Sequence, residues 1–376
     1  MVKWTPEVLA RAFQACRDTV ATKGLAEAHR FSFEVWKRGI DAVFSRLTAD
    51  GLSRYKEGLG KSISLLNLRV LGPKDPVLAV IGGRLPDPAT TLIVWSLLFG
   101  ARVIVKPPGE YPFFLKTLVS CLDQYITLNG AIRVLEVSAD SSELKALLKS
   151  VQHVLIFGSD ETVKKVVLQR VPESITWFRD RESLELILEQ PPQNTIEGIA
   201  MDVVMYDQSG CLSPHVIAFK GTFEEALVLG GKLQRALEDL QEHLTMYHPL
   251  KLEDRARIRL FLEKAKREGG VLMGGSFVPQ VVVIKRPIFP GPGFRVVQIL
   301  PFEREDDVTK LLHPLRARIQ GLAAYPEEVD LSFLIRELGP AGYITTPGKL
   351  QKPPLLWVED GVLLPLQMLN LTRNKL

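Results

Sequence analysis

Val77-Leu78-Ala79-Val80-Ile81 is an unbroken apolar run, closed by Pro76 on one side and Gly82-Gly83 on the other. A strand with one buried face alternates apolar and polar residues. A strand covered on both faces does not, so this run reads as a central strand of a parallel sheet. The residues that follow repeat the theme. A helix is expected from about Ala89 to Phe99, ended by Gly100, then a second buried strand from Arg102 to Val105, stopped by Lys106-Pro107-Pro108. The alternation continues with a helix from about Phe113 to Ile126, a strand from Ile132 to Val137 and a short helix from Glu143 to Leu148. A strand from His153 to Phe157 and a helix from Thr162 to Gln169 complete it. This order predicts an α/β fold with a doubly wound, mostly parallel sheet and helices on both faces. Such sheets bind ligands beyond the carboxyl ends of their strands, where Lys106 and Gly158-Ser159 fall.

Upstream, Thr5-Pro6-Glu7 is a helix-start signal, and helical character continues with breaks to about Tyr55. Downstream, Thr222-Phe223-Glu224-Glu225 has capping-box spacing and opens a long helix to about His243. Further strands are expected at Phe277–Ile284 and Phe294–Leu300. A boundary near Met201–Tyr206 divides the chain into residues 1–204, helices and a cofactor-binding domain, and 205–345, a second α/β domain carrying Cys211. Residues 346–376 form a C-terminal segment that packs back or oligomerises.

The 376 residues, 46% hydrophobic and 24% charged, suit a globular protein with ample core. The net charge of +4 is spread along the chain, so no nucleic-acid partner is expected. Mixed runs such as Glu253-Asp254-Arg255-Ala256-Arg257 read as solvated helix faces. The three cysteines, Cys16, Cys121 and Cys211, are odd in number and widely spaced, which argues against a disulfide framework and fits a reducing compartment. Cys16 and Cys121 read as buried core thiols. No metal site is expected, since His243 and His248 lack a third ligand. The amino terminus mixes charge with apolar residues, unlike a signal peptide, and Leu92 to Phe99 is too short to span a bilayer. A cytoplasmic protein without a membrane span is therefore expected. High Pro and Arg with little Asn is compatible with heat adaptation.

The segment Tyr206-Asp207-Gln208-Ser209-Gly210-Cys211-Leu212-Ser213-Pro214-His215 carries the clearest functional signal. Gly210 removes bulk before the sulfur, Ser213-Pro214 stop any regular element after it, and a substrate can reach a thiol in such a turn. His215 fits a general base or an orienting group, or equally a structural histidine. Gly158 lets a ligand approach the backbone, and N–H groups at the next helix start attract phosphate. An ordinary strand–helix turn explains it as well. Lys106 suits a ribose or phosphate contact, or a solvated strand end. There is no Gly-x-Gly-x-x-Gly fingerprint and no Gly-x-Ser-x-Gly elbow.

Taken in order, Val103-Ile104-Val105-Lys106-Pro107, Phe157-Gly158-Ser159 and Asp207-Gln208-Ser209-Gly210-Cys211-Leu212-Ser213-Pro214-His215 resemble the aldehyde dehydrogenase superfamily. Within it the chain is most similar to the fatty acyl-CoA reductases of bacterial bioluminescence. Trp357-Val358-Glu359-Asp360-Gly361, with Leu364 and Leu366, strengthens that branch, and the resemblance runs from about Pro76 to Gln367. It implies that Cys211 attacks an acyl-CoA thioester and expels CoA, and that NADP or NAD in its reduced form then delivers hydride to release an aldehyde. It also implies that Lys106, with Pro107 beside it, holds the adenosine ribose and that Gly158 and Ser159 receive the pyrophosphate. A homo-oligomer is expected by the same analogy.

Three departures qualify the resemblance. The family's oxyanion-stabilising asparagine aligns with Arg84, which can donate to an oxyanion or bind CoA or cofactor phosphates. The hydrolytic general base has no match around Trp177-Phe178-Arg179-Asp180, as suits a reductase. The glutamate typical of NAD-preferring members is replaced by Gly109, with Glu110 next, which leans the cofactor towards NADP. A thiol acyltransferase or thioesterase, acyl-phosphate reduction, and a non-catalytic binding subunit remain alternatives. The last is motivated by Arg84 and the Arg179-Asp180-Arg181-Glu182 run.

Overall fold

The computed structural model describes residues 3–23, 31–109, 112–167, 174–178, 181–246, 250–275 and 277–373. Glu110, Arg179, Asp180 and His248, all used in the reading above, lie outside these residues. The chain forms two compact units, Met1–His29, Trp36–Asp180 and Pro354–Leu376 in the first, Arg30–Val35 and Arg181–Pro353 in the second.

In the first unit, α1 (Pro6–Lys23), α2 (Phe33–Phe44, from its fourth residue) and α3 (Ala49–Leu65) form the helical start. Leu9, Phe13, Cys16 and Val20 place an apolar stripe along α1, and all four are fully buried. Thr48 caps α3 by accepting the Gly51 N–H at 3.0 Å. Then follow β1 (Leu68–Pro73), β2 (Val77–Ile81), α4 (Pro86–Phe99), β3 (Val103–Lys106), α5 (Phe113–Tyr125), β4 (Ile132–Val134), α6 (Ser142–Ser150), β5 (His153–Phe157), α7 (Asp160–Val167) and β6 (Ile175–Phe178). Strands β4-β3-β2-β5-β6 make a five-stranded parallel sheet in that order. Every residue of β2 and β5 is buried, as the unbroken apolar runs require. Pro86 starts α4 three residues ahead of the expected Ala89, and Gly100, at φ +71°, ends it.

The second unit opens with β7 (Glu182–Ile187), followed by α8 (Gln193–Val204), β8 (Pro214–Lys220), α9 (Phe223–His243), α10 (Leu252–Arg267), β9 (Val271–Leu272), β10 (Gln280–Val283) and β11 (Val296–Phe302). Next come α11 (Glu305–Leu312), β12 (Ile319–Tyr325), α12 (Ser332–Leu338) and β13 (Tyr343–Thr345). Its seven-stranded sheet runs β13-β12-β7-β8-β11-β10-β9, parallel except for β9. The capping box at Thr222 and Glu225 opens α9 as expected, and the charged run on α10 is largely exposed.

The C-terminal residues from Pro354 belong to the first unit, where α13 (Leu364–Gln367) leads into β14 (Leu369–Arg373), antiparallel to β1. Three expectations are corrected. The chain leaves the first unit at Asp180–Arg181, not near residue 204, because β7 and α8 belong to the second sheet and its cover. Pro214 starts a strand rather than stopping one; proline is tolerated at a first strand position, where a missing N–H costs least. Cys16 and Cys121 are not separate thiols but a disulfide joining α1 to α5, buried at both ends. Cysteine number and spacing cannot reveal a bond between residues 105 apart, and heat-adapted intracellular proteins do form such bonds.

A crosslink spanning that many residues restricts the unfolded chain strongly, by roughly 4–5 kcal/mol on chain-entropy grounds. We expect one titratable thiol per unfolded, unreduced chain and three after reduction. Cys16→Ala/Cys121→Ala should lose about 2–4 kcal/mol in chemical unfolding.

Candidate active site

The first unit gathers five of the residues singled out in the sequence at the carboxyl end of its sheet. β2 and β5 stay paired to their last residues, and the Gly82 N–H continues the ladder by donating to the Phe157 carbonyl at 2.6 Å. A Cβ on Gly158 would meet the Thr162 side chain at 3.2 Å, so the glycine lets α7 start close against the end of β5. Ser159 accepts the Thr162 N–H at 3.3 Å and caps α7. Lys106 ends β3 with only 8% of its surface exposed. Its amine donates to the Pro107 carbonyl at 3.0 Å, and burial pulls its pKa down. No carboxylate among the described residues pairs with it. A buried amine of this kind, beside a glycine-lined strand end, fits the phosphate and ribose groups of a dinucleotide. Arg84 lies partly exposed between β2 and α4, at the same end of the sheet.

The second unit holds Cys211 and His215. Cys211 sits in a turn just before β8, keeps its thiol and is partly exposed. The turn is tied to the sheet by side chains. Ser183, near the start of β7, donates its hydroxyl to the Cys211 carbonyl at 2.7 Å and accepts the Gly321 N–H of β12 at 2.9 Å. The Gln351 amide donates to the Ser213 hydroxyl at 3.2 Å and to the Asp202 carbonyl at 3.5 Å. Before the cysteine, Gln208 donates to the carbonyls of Pro214 and Val296 at 2.9 and 3.1 Å and accepts the Val296 N–H at 2.8 Å. Asp207 and Arg295 form a buried ion pair, with Arg295 Nε donating to Asp207 Oδ1 at 2.8 Å.

His215, the second residue of β8, has its Nδ1 3.8 Å from Glu182 Oε2 and packs against Gly291. Burial lowers its pKa against the opposing pull of Glu182, which favours the neutral ring at pH 7. A neutral imidazole is a proton acceptor, as a base role requires.

Two further buried carboxyls lie in this unit. Glu185, mid-strand in β7, is fully buried, and neither of its oxygens has a hydrogen-bond partner among the described residues. Asp202 on α8 accepts the Gly348 N–H at 2.6 Å and that of Leu350 at 3.4 Å. Burial raises both pKa values, and the Asp202 charge adds to the rise at Glu185.

Ser183, Gln351, Asp202 and Arg295 escaped sequence reasoning. Their partners are 28 to 149 residues away, and none stands in a local motif.

Comparison with known proteins gives a consistent picture. The profile of the acyl-CoA reductase (LuxC) family matches residues 71–371. The long-chain acyl-protein thioester reductase of Aliivibrio fischeri is 21% identical over 286 residues, covering 69% of this chain and 55% of that protein. The chain thus spans little more than half the length of that relative. An oxidoreductase from Marinobacter aquaeolei superposes with a TM-score of 0.74 at 13% identity, over 99% of this chain and 86% of that one. The NAD+ complex of an aldehyde dehydrogenase from Bacillus cereus gives a TM-score of 0.73 at 14% identity, over 98% and 82%. At these identities the structural likenesses establish the fold, which is that of the aldehyde dehydrogenases.

Two outcomes follow from the buried polar groups. Ser183→Ala strands the Gly321 N–H and the Cys211 carbonyl and should cost about 1–3 kcal/mol in urea unfolding. The raised Glu185 and Asp202 pKa values mean that the folded chain holds protons the unfolded chain releases. Their contribution is therefore most favourable below the ordinary carboxylate pKa of about 4 and is lost as pH rises through the folded values. Melting temperature should fall from pH 5 to pH 8, and fall less in Glu185→Gln.

Proposed function

Because the profile match covers most of its length, this chain belongs to the acyl-CoA reductase (LuxC) family, and we propose that it reduces an acyl-CoA thioester to the aldehyde through an acyl group carried on Cys211. The observation that carries the reading is the partly exposed Cys211 in a turn flanked by buried Gln208, Leu212 and Ser213 and tied down through the Cys211 carbonyl and the Ser213 hydroxyl. An ordinary thiol, with pKa near 8.5, is only slightly ionised at neutral pH, so a base that takes its proton speeds attack. His215, neutral at pH 7, fills that role, with the Glu182 carboxylate 3.8 Å from its Nδ1.

The Cys211 sulfur attacks the thioester carbonyl, the bond to the CoA sulfur breaks, and CoA leaves with a proton. Exchange of one thioester for another is nearly isoenergetic and divides the reduction into two accessible steps. Lys106 and Pro107 hold the ribose end of a nicotinamide cofactor, and Gly158 with Ser159 its pyrophosphate. When bound, the reduced cofactor would supply the hydride that converts the Cys211 thioester to aldehyde and the Cys211 thiolate, which regains a proton in place of the one it gave up on acylation. Arg84 takes the family's oxyanion position or binds phosphate.

NADP is favoured over NAD because Gly109 leaves open space where a carboxylate would repel a 2′-phosphate; a Cβ there would meet nothing within 4 Å. Reliance on acyl-CoA and reduced nicotinamide suits a cytoplasmic protein; the homo-oligomer follows from the family resemblance alone. No helix among the described residues is long and apolar enough to cross a membrane.

Purified protein given acyl-CoA should gain one acyl mass on Cys211, cleared by NADPH with release of aldehyde. Cys211→Ala should abolish both the adduct and the NADPH oxidation. CoA release without NADPH consumption would instead favour a thioesterase, and an unmodified Cys211 would favour a binding subunit.

A further inference from the structure

Two stretches of the second unit share an uncommon backbone conformation. Tyr206, Asp207 and Gln208 have φ of +53°, +51° and +57°. Phe294 and Arg295, after Gly293, have φ of +57° and +62°. Side chains with a Cβ disfavour this region, so five such residues persist only where contacts over-determine them.

The two stretches hold each other. The Phe294 N–H donates to the Asp207 carbonyl at 3.1 Å. Arg295 Nε donates to Asp207 Oδ1 at 2.8 Å, while Nη2 approaches the same oxygen to 2.7 Å off the hydrogen-bond direction. Gln208 then bridges the first residues of β8 and β11 through Pro214 and Val296. Residues 209–213, with Cys211 at their centre, are strung between these fixed points.

The pair is an expensive way to gain stability. Arg295 is 0% exposed and Asp207 4%, and Arg295 Nη1 has no hydrogen-bond partner among the described residues. A buried ion pair is often matched or exceeded in stability by apolar residues of similar volume. What an apolar pair cannot supply is direction: a guanidinium bonded to a carboxylate fixes Asp207, and through it the left-handed approach to the cysteine.

We infer that Asp207 and Arg295 are positioning residues for the Cys211 turn, acting on the rate of acyl transfer to its sulfur and not on the binding of acyl-CoA. The inference rests on the proposed role of Cys211 as nucleophile.

The test compares two double variants with wild type in rapid-quench acylation of Cys211 by acyl-CoA, followed by intact mass. Asp207→Leu/Arg295→Met leaves no buried charge and should melt within a few degrees of wild type. Its acylation rate at saturating acyl-CoA should fall about 100-fold, with the half-saturating concentration changed less than threefold. Asp207→Asn/Arg295→Gln keeps hydrogen bonding, and asparagine tolerates the left-handed region. It should recover to within five- to tenfold of wild type. An apolar pair that folds and acylates at the wild-type rate overturns the inference. If that pair does not fold, the neutral polar pair decides, with at least a fivefold loss supporting the inference and an unchanged rate overturning it. Wild type that forms no adduct on Cys211 removes the nucleophile and this inference together. Normal wild-type acylation with equally fast variants removes only the positioning role.

Discussion

Parallel strands bond only sideways, so both faces of each sheet must be covered and the strand ends are what remains open. In the first unit, β2 and β5 are buried throughout, which leaves Gly82, Gly158 and Ser159 beyond their rims, with Lys106 as the last residue of the neighbouring β3. In the second, the same constraint puts Cys211 in the turn before β8, at the amino end of a covered strand. Residues with chemistry to offer are thus displaced to strand ends, and loop geometry decides what they can do. The two units use opposite ends: backbone approach at carboxyl ends in the first, a side-chain-braced turn at an amino end in the second.

This constraint also explains what was legible in the sequence. Val77–Ile81, the strand ending at Lys106 and His153–Phe157 declared themselves because strands covered on both faces are apolar at every position. β7 did not. Its sequence Glu182-Ser183-Leu184-Glu185-Leu186-Ile187 carries two acids and a serine, yet every position from Ser183 onward is buried. β12 hides for another reason, since Gly321, Ala323 and Ala324 have little strand propensity, and a Cβ at Gly321 would meet the side chains of Ser183, Leu212 and Leu350 at 2.7–2.9 Å. With β7 unseen, the domain boundary fell more than twenty residues late. The disulfide between Cys16 and Cys121 had no local signal, because its geometry exists only once α1 and α5 are packed.

The site divides in the same way. Cys211, His215, Lys106, Pro107, Gly158 and Ser159 could be picked out because they interrupt apolar runs or stand in short motifs. The groups that brace them could not. Arg295 looks like any surface arginine in sequence, and its full burial follows only from the company of Asp207. Ser183 and Gln351 have unremarkable neighbours and act across 28 and 138 residues. Short motifs and broken apolar runs show in the sequence, whereas the contacts that hold such residues are distributed through the fold.

The buried acids of the second unit have different partners, and the difference bears on how the cysteine turn is held. Asp207 faces Arg295 as half of an ion pair. Glu185 faces no cation among the described residues, and burial, with the charge of Asp202, drives it towards its neutral form. The charged pair is the one attached to the left-handed segment that leads into Cys211; the acid without a hydrogen bond sits mid-strand, where the ladder already fixes the backbone. An ion pair therefore stands where the main chain lacks a ladder of its own. The outcome is a turn in which Gln208, Leu212 and Ser213 are buried and immobilised by their contacts while Cys211 between them stays partly exposed. A nucleophile needs that combination: access for the substrate, and few alternative positions for the sulfur.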